Sequence, residues 1–421
     1  MLNLIGVVLA FILIILLIRK KINFGFCLII GALLVGVFSL QVIQLIDIPK
    51  AIIEASIYSF EKQQLETETL ELAILMTLIF MLAKTMQETK AIIKLIDSLR
   101  TLFSKGGILG IIPAVYGLMP VPGGALFSAP LIDKEGDTYH LSKEKKNFLN
   151  IWFRHVWFPI YPISQAMILV CSMKFANIPL ELLIAMNLPS FVASIIIGYF
   201  YLRRYIGVTQ RPSQVPSKNY SGLVFLLPPT IPLLFYPLKL VGLSETRCFI
   251  IGILASILLL YFLVHKNTKD YLSILKKSLT WKLAAAIFGI MIFREMITIS
   301  QAPTLITSLM QNLAFPAIII VILIPLVLGA ITGYNLGAVA LSYPLLEPFF
   351  PFTGIGIVGL TSIVFMGSLI GYLISPIHLC NVVSSEYLKT DTTRMYRWFI
   401  PAALLLLIIQ ITFVILVSVV F

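Results

Sequence analysis

The chain has 421 residues, 59% of them hydrophobic and 12% charged, with a mean hydropathy of +1.00. This excludes an ordinary soluble domain and predicts a polytopic membrane protein, with apolar runs near the roughly 20 residues that cross a bilayer core. The net charge of +12 sits in short loops between spans, where basic residues set orientation, and so does not point to nucleic acid.

In chain order the predicted spans are 1–18, 22–46, 69–87, 148–172, 177–202, 221–241, 245–264, 281–300, 355–380 and 397–420. Two further apolar segments, about 106–131 and 315–346, are broken by Gly and Pro and read as re-entrant hairpins. The first span has no small-residue cleavage site and runs into Arg19-Lys20-Lys21, so it reads as a retained helix. With both hairpins entering and leaving on one side, 23 of the 31 Lys and Arg residues share one face and five the other. The positive-inside rule makes the rich face cytoplasmic and places both termini outside, in a plasma membrane. The four cysteines, Cys27, Cys171, Cys248 and Cys380, stand singly in apolar segments and read as core packing.

The chain repeats itself. Ile112-Pro113 through Gly117 matches Ile324-Pro325 through Gly329, and Gly123-Gly124 through Pro130-Leu131 follows the pattern of Gly337-Ala338 through Pro344-Leu345. Tyr161-Pro162-Ile163-Ser164 matches Ser375-Pro376-Ile377-His378, and Leu95-Ile96 matches Leu305-Ile306. An odd number of crossings separates the copies, which makes this an inverted-topology repeat. The expected fold is therefore all-α, with about ten transmembrane helices and two re-entrant hairpins. Its organisation is a first repeat at 1–172, a linker helix and cytoplasmic loop at 173–220, a second repeat at 221–380, and a loop with a terminal helix at 381–421.

Non-helical backbone at membrane depth must be buried in protein or line a cavity, because lipid cannot satisfy its amides and carbonyls. The first tip contains Pro122, Gly123 and Gly124, which let a ligand approach the backbone at the start of a half-helix whose free N–H groups suit an anion. The second contains Thr332, Gly333, Asn335 and Gly337, adding a hydroxyl and a carboxamide. Ser128 and Ser342 lie five residues past a tip glycine in each copy, open to a role in binding or in helix-to-helix hydrogen bonding. The spans after the hairpins are interrupted at Pro159, Pro162 and Pro376, beside Ser164, Gln165, Ser375 and His378. Proline frees a carbonyl four residues earlier, and an ionisable residue within a span is a functional candidate. Arg154 and His155 begin the first interrupted span, where Arg154 either snorkels to the interface or clamps an anion. Arg294 and Glu295 are expected to pair locally, with Glu71 and Lys84 structural. Asp133, Asp137 and His140 are the residues a membrane enzyme would need. There is no phosphate-binding Gly-x-x-x-x-Gly-Lys-Ser/Thr loop, no His-Glu-x-x-His and no Gly-x-Ser-x-Gly.

Met119 to Ile132, Trp152-Phe153-Arg154-His155 and Ile374 to Cys380 resemble an uncharacterised prokaryotic membrane family, a domain of unknown function in the ion transporter superfamily. Citrate, gluconate and dicarboxylate carriers belong to that superfamily. The resemblance covers nearly the whole chain and implies an inverted-repeat scaffold and transport domain, dimeric and elevator-like. Pro122-Gly123-Gly124 and Tyr334-Asn335-Leu336 stand where those carriers have Ser-Asn-Thr. The expected function is secondary active transport of a small organic anion coupled to Na⁺ or H⁺, with no cofactor beyond a coupling Na⁺ near Gly123, Asn335 and Ser375. The alternatives are an exporter or cation/proton antiporter on the same scaffold, and an enzyme acting on a lipid-linked substrate.

Overall fold

In the computed structural model, which describes residues 1–60, 62–103, 106–118, 124–207, 219–312 and 316–420, the chain is nearly all helix. Its first run comprises α1 (Leu2–Arg19), α2 (Phe24–Phe38), α3 (Asp47–Ser56), α4 (Thr67–Glu88), α5 (Ala91–Leu102), α6 (Ile108–Gly117), α7 (Ala125–Asp137), α8 (Lys143–Arg154), α9 (Gln165–Cys171) and α10 (Leu180–Ile206). A two-residue antiparallel ladder, Tyr58–Ser59 against Gln64–Leu65, precedes α4. The second run comprises α11 (Leu227–Phe235), α12 (Glu245–Val264), α13 (Thr268–Ser278), α14 (Trp281–Ile299), α15 (Ala302–Asn312), α16 (Ala317–Thr332), α17 (Asn335–Leu346), α18 (Ile357–Ile374), α19 (Leu379–Leu388) and α20 (Thr392–Val420).

Among the described residues each of the two runs holds ten α-helices. Left-handed residues mark the same junctions: Lys90 between α4 and α5 and Gln301 between α14 and α15; Asn177 ahead of α10 and Lys389 ahead of α20. A non-glycine residue at positive φ is uncommon, so matched occurrences at matched places are a structural signature.

Among the described residues seven helical segments are long and apolar enough to cross a membrane, or eight if the 58° bend between Thr268–Ile299 and Ala302–Leu309 lies within one span. The expected span at 221–241 is present as α11 flanked by tighter 3₁₀ turns, Ser221–Leu226 and Tyr236–Val241, and four prolines within it explain the irregular winding. One expected span differs. The segment 22–46 is helical only to Phe38, where the Ser39 hydroxyl turns back to donate to the Val35 carbonyl at 2.7 Å. The segment 148–172 is interrupted where its prolines predict: α8 stops at Arg154, residues 155–164 are irregular around Pro159 and Pro162, and α9 begins on Ser164, whose hydroxyl accepts from the Met167 amide.

Small residues bring backbones together, as in helix pairs that associate within lipid. A Cβ on Gly25 of α2 would lie 2.0 Å from the Ala285 carbonyl oxygen of α14, and one on Gly371 of α18 would lie 2.1 Å from the Leu326 carbonyl oxygen of α16. The stretch Ile357–Leu388 is 78% buried in its most apolar window, against 28% for α1, α10 and α20, so α18 is the central post and those three lie at the periphery. A buried polar network fastens α10 and α20 to that post. Ser190 donates to Gln410 Oε1 at 2.6 Å, and Gln410 Nε2 donates to Ser362 Oγ at 2.7 Å and to the Met186 carbonyl at 2.8 Å. Ser362 in turn donates to Asn187 Oδ1 at 2.6 Å, and Asn187 Nδ2 donates to the Pro159 carbonyl at 2.9 Å. The last bond ties the network to the break after α8.

Candidate functional site

The two hairpins are α6–α7 and α16–α17. The second turns over at Gly333, whose φ of +60° ends α16, and Tyr334, which leads into Asn335 at the start of α17. A side chain at Gly333 would be strained in that conformation, and its Cβ would lie 2.9 Å from Ile377 Cγ1. Most of the first tip, Pro122 and Gly123 included, lies outside the described residues; Gly124 opens the returning arm.

The end of α6 and the second hairpin each rest on the interrupted span of their own half. The Tyr161 hydroxyl donates to the Leu118 carbonyl at 2.9 Å, and Arg154 Nη1 donates to the Tyr116 carbonyl at 2.9 Å. The Arg154 guanidinium lies against the backbone of Gly124, where a Cβ would sit 2.1 Å from Nη2. In the second half the Ser375 hydroxyl donates to the Ala330 carbonyl at 2.6 Å, and the Ser375 carbonyl accepts from the Tyr396 hydroxyl at 2.6 Å.

The interrupted spans meet each other. His155 stands edge-on to His378 with ring centroids 4.9 Å apart, and Tyr372 lies 4.0 Å from the His378 ring. His155 Nε2 is 3.2 Å from the Tyr372 hydroxyl, and Nδ1 is 2.7 Å from the Ile151 carbonyl oxygen. Contacts thus run from the end of α6 through Arg154, His155 and His378 to Ser375 and the end of α16. The cavity beside His155, bounded by Trp152, Pro159, Met366 and Leu373, measures about 10 Å³, room for one water and no organic ion.

The predicted residues divide by whether their polar atoms are already engaged. Ser128 donates to Asn150 Oδ1 at 2.6 Å, and Ser342 bonds the Ala338 carbonyl one turn back. Thr332 donates to the Leu328 carbonyl at 2.7 Å, and Ser164 caps α9. Gly337 sits under Phe24 and Tyr334. In contrast, Asn335 Oδ1, Gln165 Nε2 and both ring nitrogens of His378 are buried without a hydrogen-bond partner. Such atoms are rare in folded proteins and call for an explanation.

Asn147 and Asn150 of α8 carry no motif, yet they bind the halves together. Asn150 Nδ2 donates to Ser384 Oγ at 2.8 Å and to the Ala125 carbonyl at 3.1 Å, while Asn147 Nδ2 donates to Asn381 Oδ1 at 3.0 Å and Ser385 Oγ at 2.9 Å. Their one signal in sequence is an amide at each end of one helical turn entering an apolar run. Lys146 extends one Nζ to Asp133 and Asp137, both at 2.6 Å; burial opposes its charge, and the two carboxylates outweigh burial and raise its pKa above the ordinary lysine value. Arg294 faces Glu347 at 3.8 Å, a partner from across the fold and not from its own helix turn. Glu71 pairs with Arg247 at 2.7 Å and Lys84 with Glu88 at 2.8 Å.

Long apolar helices, close glycine packing and polar groups gathered inside define a multi-pass α-helical membrane protein. The chain belongs to the family described as Protein of unknown function (DUF401), whose model matches residues 4–420. No curated protein matches it.

Proposed function

We propose that this protein is a secondary active transporter of a small organic anion of carboxylate type, coupled to Na⁺ or H⁺ and related to the carriers of the ion transporter superfamily. The observation that carries this reading is the set of buried, unpartnered polar atoms, Asn335 Oδ1, Gln165 Nε2 and the His378 nitrogens, at helix breaks in both halves. Broken helices whose polar atoms await a ligand are how membrane carriers build a site near the midplane. Arg154, held beside Gly124, supplies positive charge for the anion. Asn335 Oδ1 and the backbone near Gly123 and Ser375 would serve a coupling Na⁺.

The ten-helix recurrence and its matched left-handed junctions support an inverted repeat, in which α10 and α20 are the helices added to each half. Access would alternate by elevator-like movement in a homodimer. An exporter or antiporter would use the same core, since direction follows the gradients. The enzyme alternative is disfavoured by Asp133 and Asp137, whose carboxylates are held by Lys146.

Solid-supported-membrane currents from proteoliposomes, on jumps of carboxylates with and without Na⁺, test the proposal. Asn335→Ala should abolish the current while leaving thermal stability unchanged, because Asn335 Oδ1 has no bond to lose. Equal currents from both proteins would overturn the assignment.

A further inference from the structure

His155, His378 and Cys380 place three potential ligand atoms within 4.8 Å of one another, all buried. They come from the two interrupted spans, His155 just past α8, His378 between α18 and α19, and Cys380 in the first turn of α19. The His378 side chain is 0% exposed, yet neither ring nitrogen has a hydrogen-bond partner. A buried imidazole left so forgoes the bonds it makes in water. His155 is supported differently. A carbonyl only accepts, so the Ile151 carbonyl 2.7 Å away fixes the proton on Nδ1 and leaves the lone pair on Nε2. Donation of the second ring N–H to a backbone carbonyl is the usual support of a histidine that binds metal.

We propose that His155 Nε2, one nitrogen of His378 and Cys380 Sγ bind a single thiophilic metal ion of the Cu⁺ type. This goes beyond the transport reading and stands apart from any coupling Na⁺, which would need oxygen ligands. Two imidazoles and a thiolate are soft donors suited to Cu⁺ or Zn²⁺. Charge separates these ions. One thiolate neutralises Cu⁺, whereas Zn²⁺ would leave a net positive charge in a buried site, where the Arg154 guanidinium already acts on the Cys380 thiol. Ligands about 2.0–2.3 Å from an ion lie about 3.3–3.8 Å from each other, so closure needs movements of about 1 Å, within reach of side-chain rotation. The Tyr372 hydroxyl would swing away from His155 Nε2 as the ion enters. The bound ion would clasp the two halves of the chain at their breaks.

The test uses full-length protein in detergent, without a histidine tag, reduced and metal-free, titrated with Cu⁺ against a chromogenic chelator and separately with Zn²⁺. One equivalent of Cu⁺ per chain is expected, bound at least tenfold more tightly than Zn²⁺, with sulfur and imidazole nitrogen in its X-ray absorption spectrum. Cys380→Ser and His378→Ala should each lose at least 100-fold in affinity, and the combined Cys27→Ala, Cys171→Ala and Cys248→Ala variant should bind as wild type. The absence of stoichiometric Cu⁺ on monodisperse wild-type protein, a spectrum without sulfur, or Zn²⁺ binding as tight as Cu⁺ would each overturn the proposal. None of these readouts depends on transport, so failure here and failure of the transporter reading are separable.

Discussion

Replacing Gln410 by Leu keeps the volume of a fully buried side chain and removes three hydrogen bonds: the one accepted from Ser190 and those given to Ser362 and the Met186 carbonyl. Interhelical hydrogen bonds within membranes are worth about 0.6 kcal/mol on average, so the three together contribute about 2 kcal/mol. The penalty for stranded partners should be small. Ser362 still donates to Asn187, and Ser190 has the Leu406 carbonyl 3.4 Å away as a second acceptor. Equilibrium unfolding in mixed micelles should therefore show Gln410→Leu less stable by about 2 kcal/mol, within the common range for a buried substitution. Ser190→Ala should cost about 1 kcal/mol, because it strands Gln410 Oε1. The double variant should lose less than the sum, since one bond is counted in both single changes. An unfolding free energy for Gln410→Leu within about 0.5 kcal/mol of wild type would refute the idea that this network fastens α10 and α20 to α18.

Gly124→Ala would press a methyl group into the Arg154 guanidinium; transport currents should fall at least tenfold, with a smaller change in thermal stability, and unaltered currents would show that the arginine can move aside freely. Gly333→Ala forces a left-handed alanine against Ile377, at a cost of about 1–2 kcal/mol, read as a lowered unfolding midpoint in a thermal melt. Lys146→Met leaves Asp133 and Asp137 facing each other without their shared ammonium. Because both carboxylates are partly exposed, the loss should be about 1 kcal/mol and should shrink in high salt.

The turn of the second hairpin was legible because its signal is local. The pattern Ile-Pro-x-x-x-Gly and the glycine-rich tip announce a helix that cannot continue, and the structure turns at Gly333 and Tyr334 within the expected 315–346. The first returning arm runs to Asp137, past the expected 131, since Asp133 and Asp137 are held by Lys146 and prolong the helix beyond its apolar part. The break after α8 was signalled by Pro159 and Pro162, and the structure interrupts the helix there, between Arg154 and Gln165. What stayed hidden is long-range. Asn147 and Asn150 find partners more than 230 residues away, and Gln410 finds Ser190 220 residues away, none of them at motif spacing. Cys380, read from sequence as packing, gains its chemistry only when the fold sets it beside His155.

Length makes α10 and α20 sensitive to their surroundings. Their 27 and 29 residues rise about 40 and 43 Å, whereas the hydrocarbon layer is about 30 Å thick. Arg203 and Arg204 close α10, Arg394 and Arg397 lie near the start of α20, and the Tyr201 hydroxyl reaches the Trp398 carbonyl at 3.4 Å, so these basic ends lie together. The pair must lean, or stand proud of the hydrocarbon with its arginines among lipid headgroups, and a thinner or thicker bilayer would change that lean. Through Asn187 the lean would reach Pro159 and the broken helix at the centre of the protein. Lipid chain length thereby becomes a mechanical input to a site that lipid does not touch.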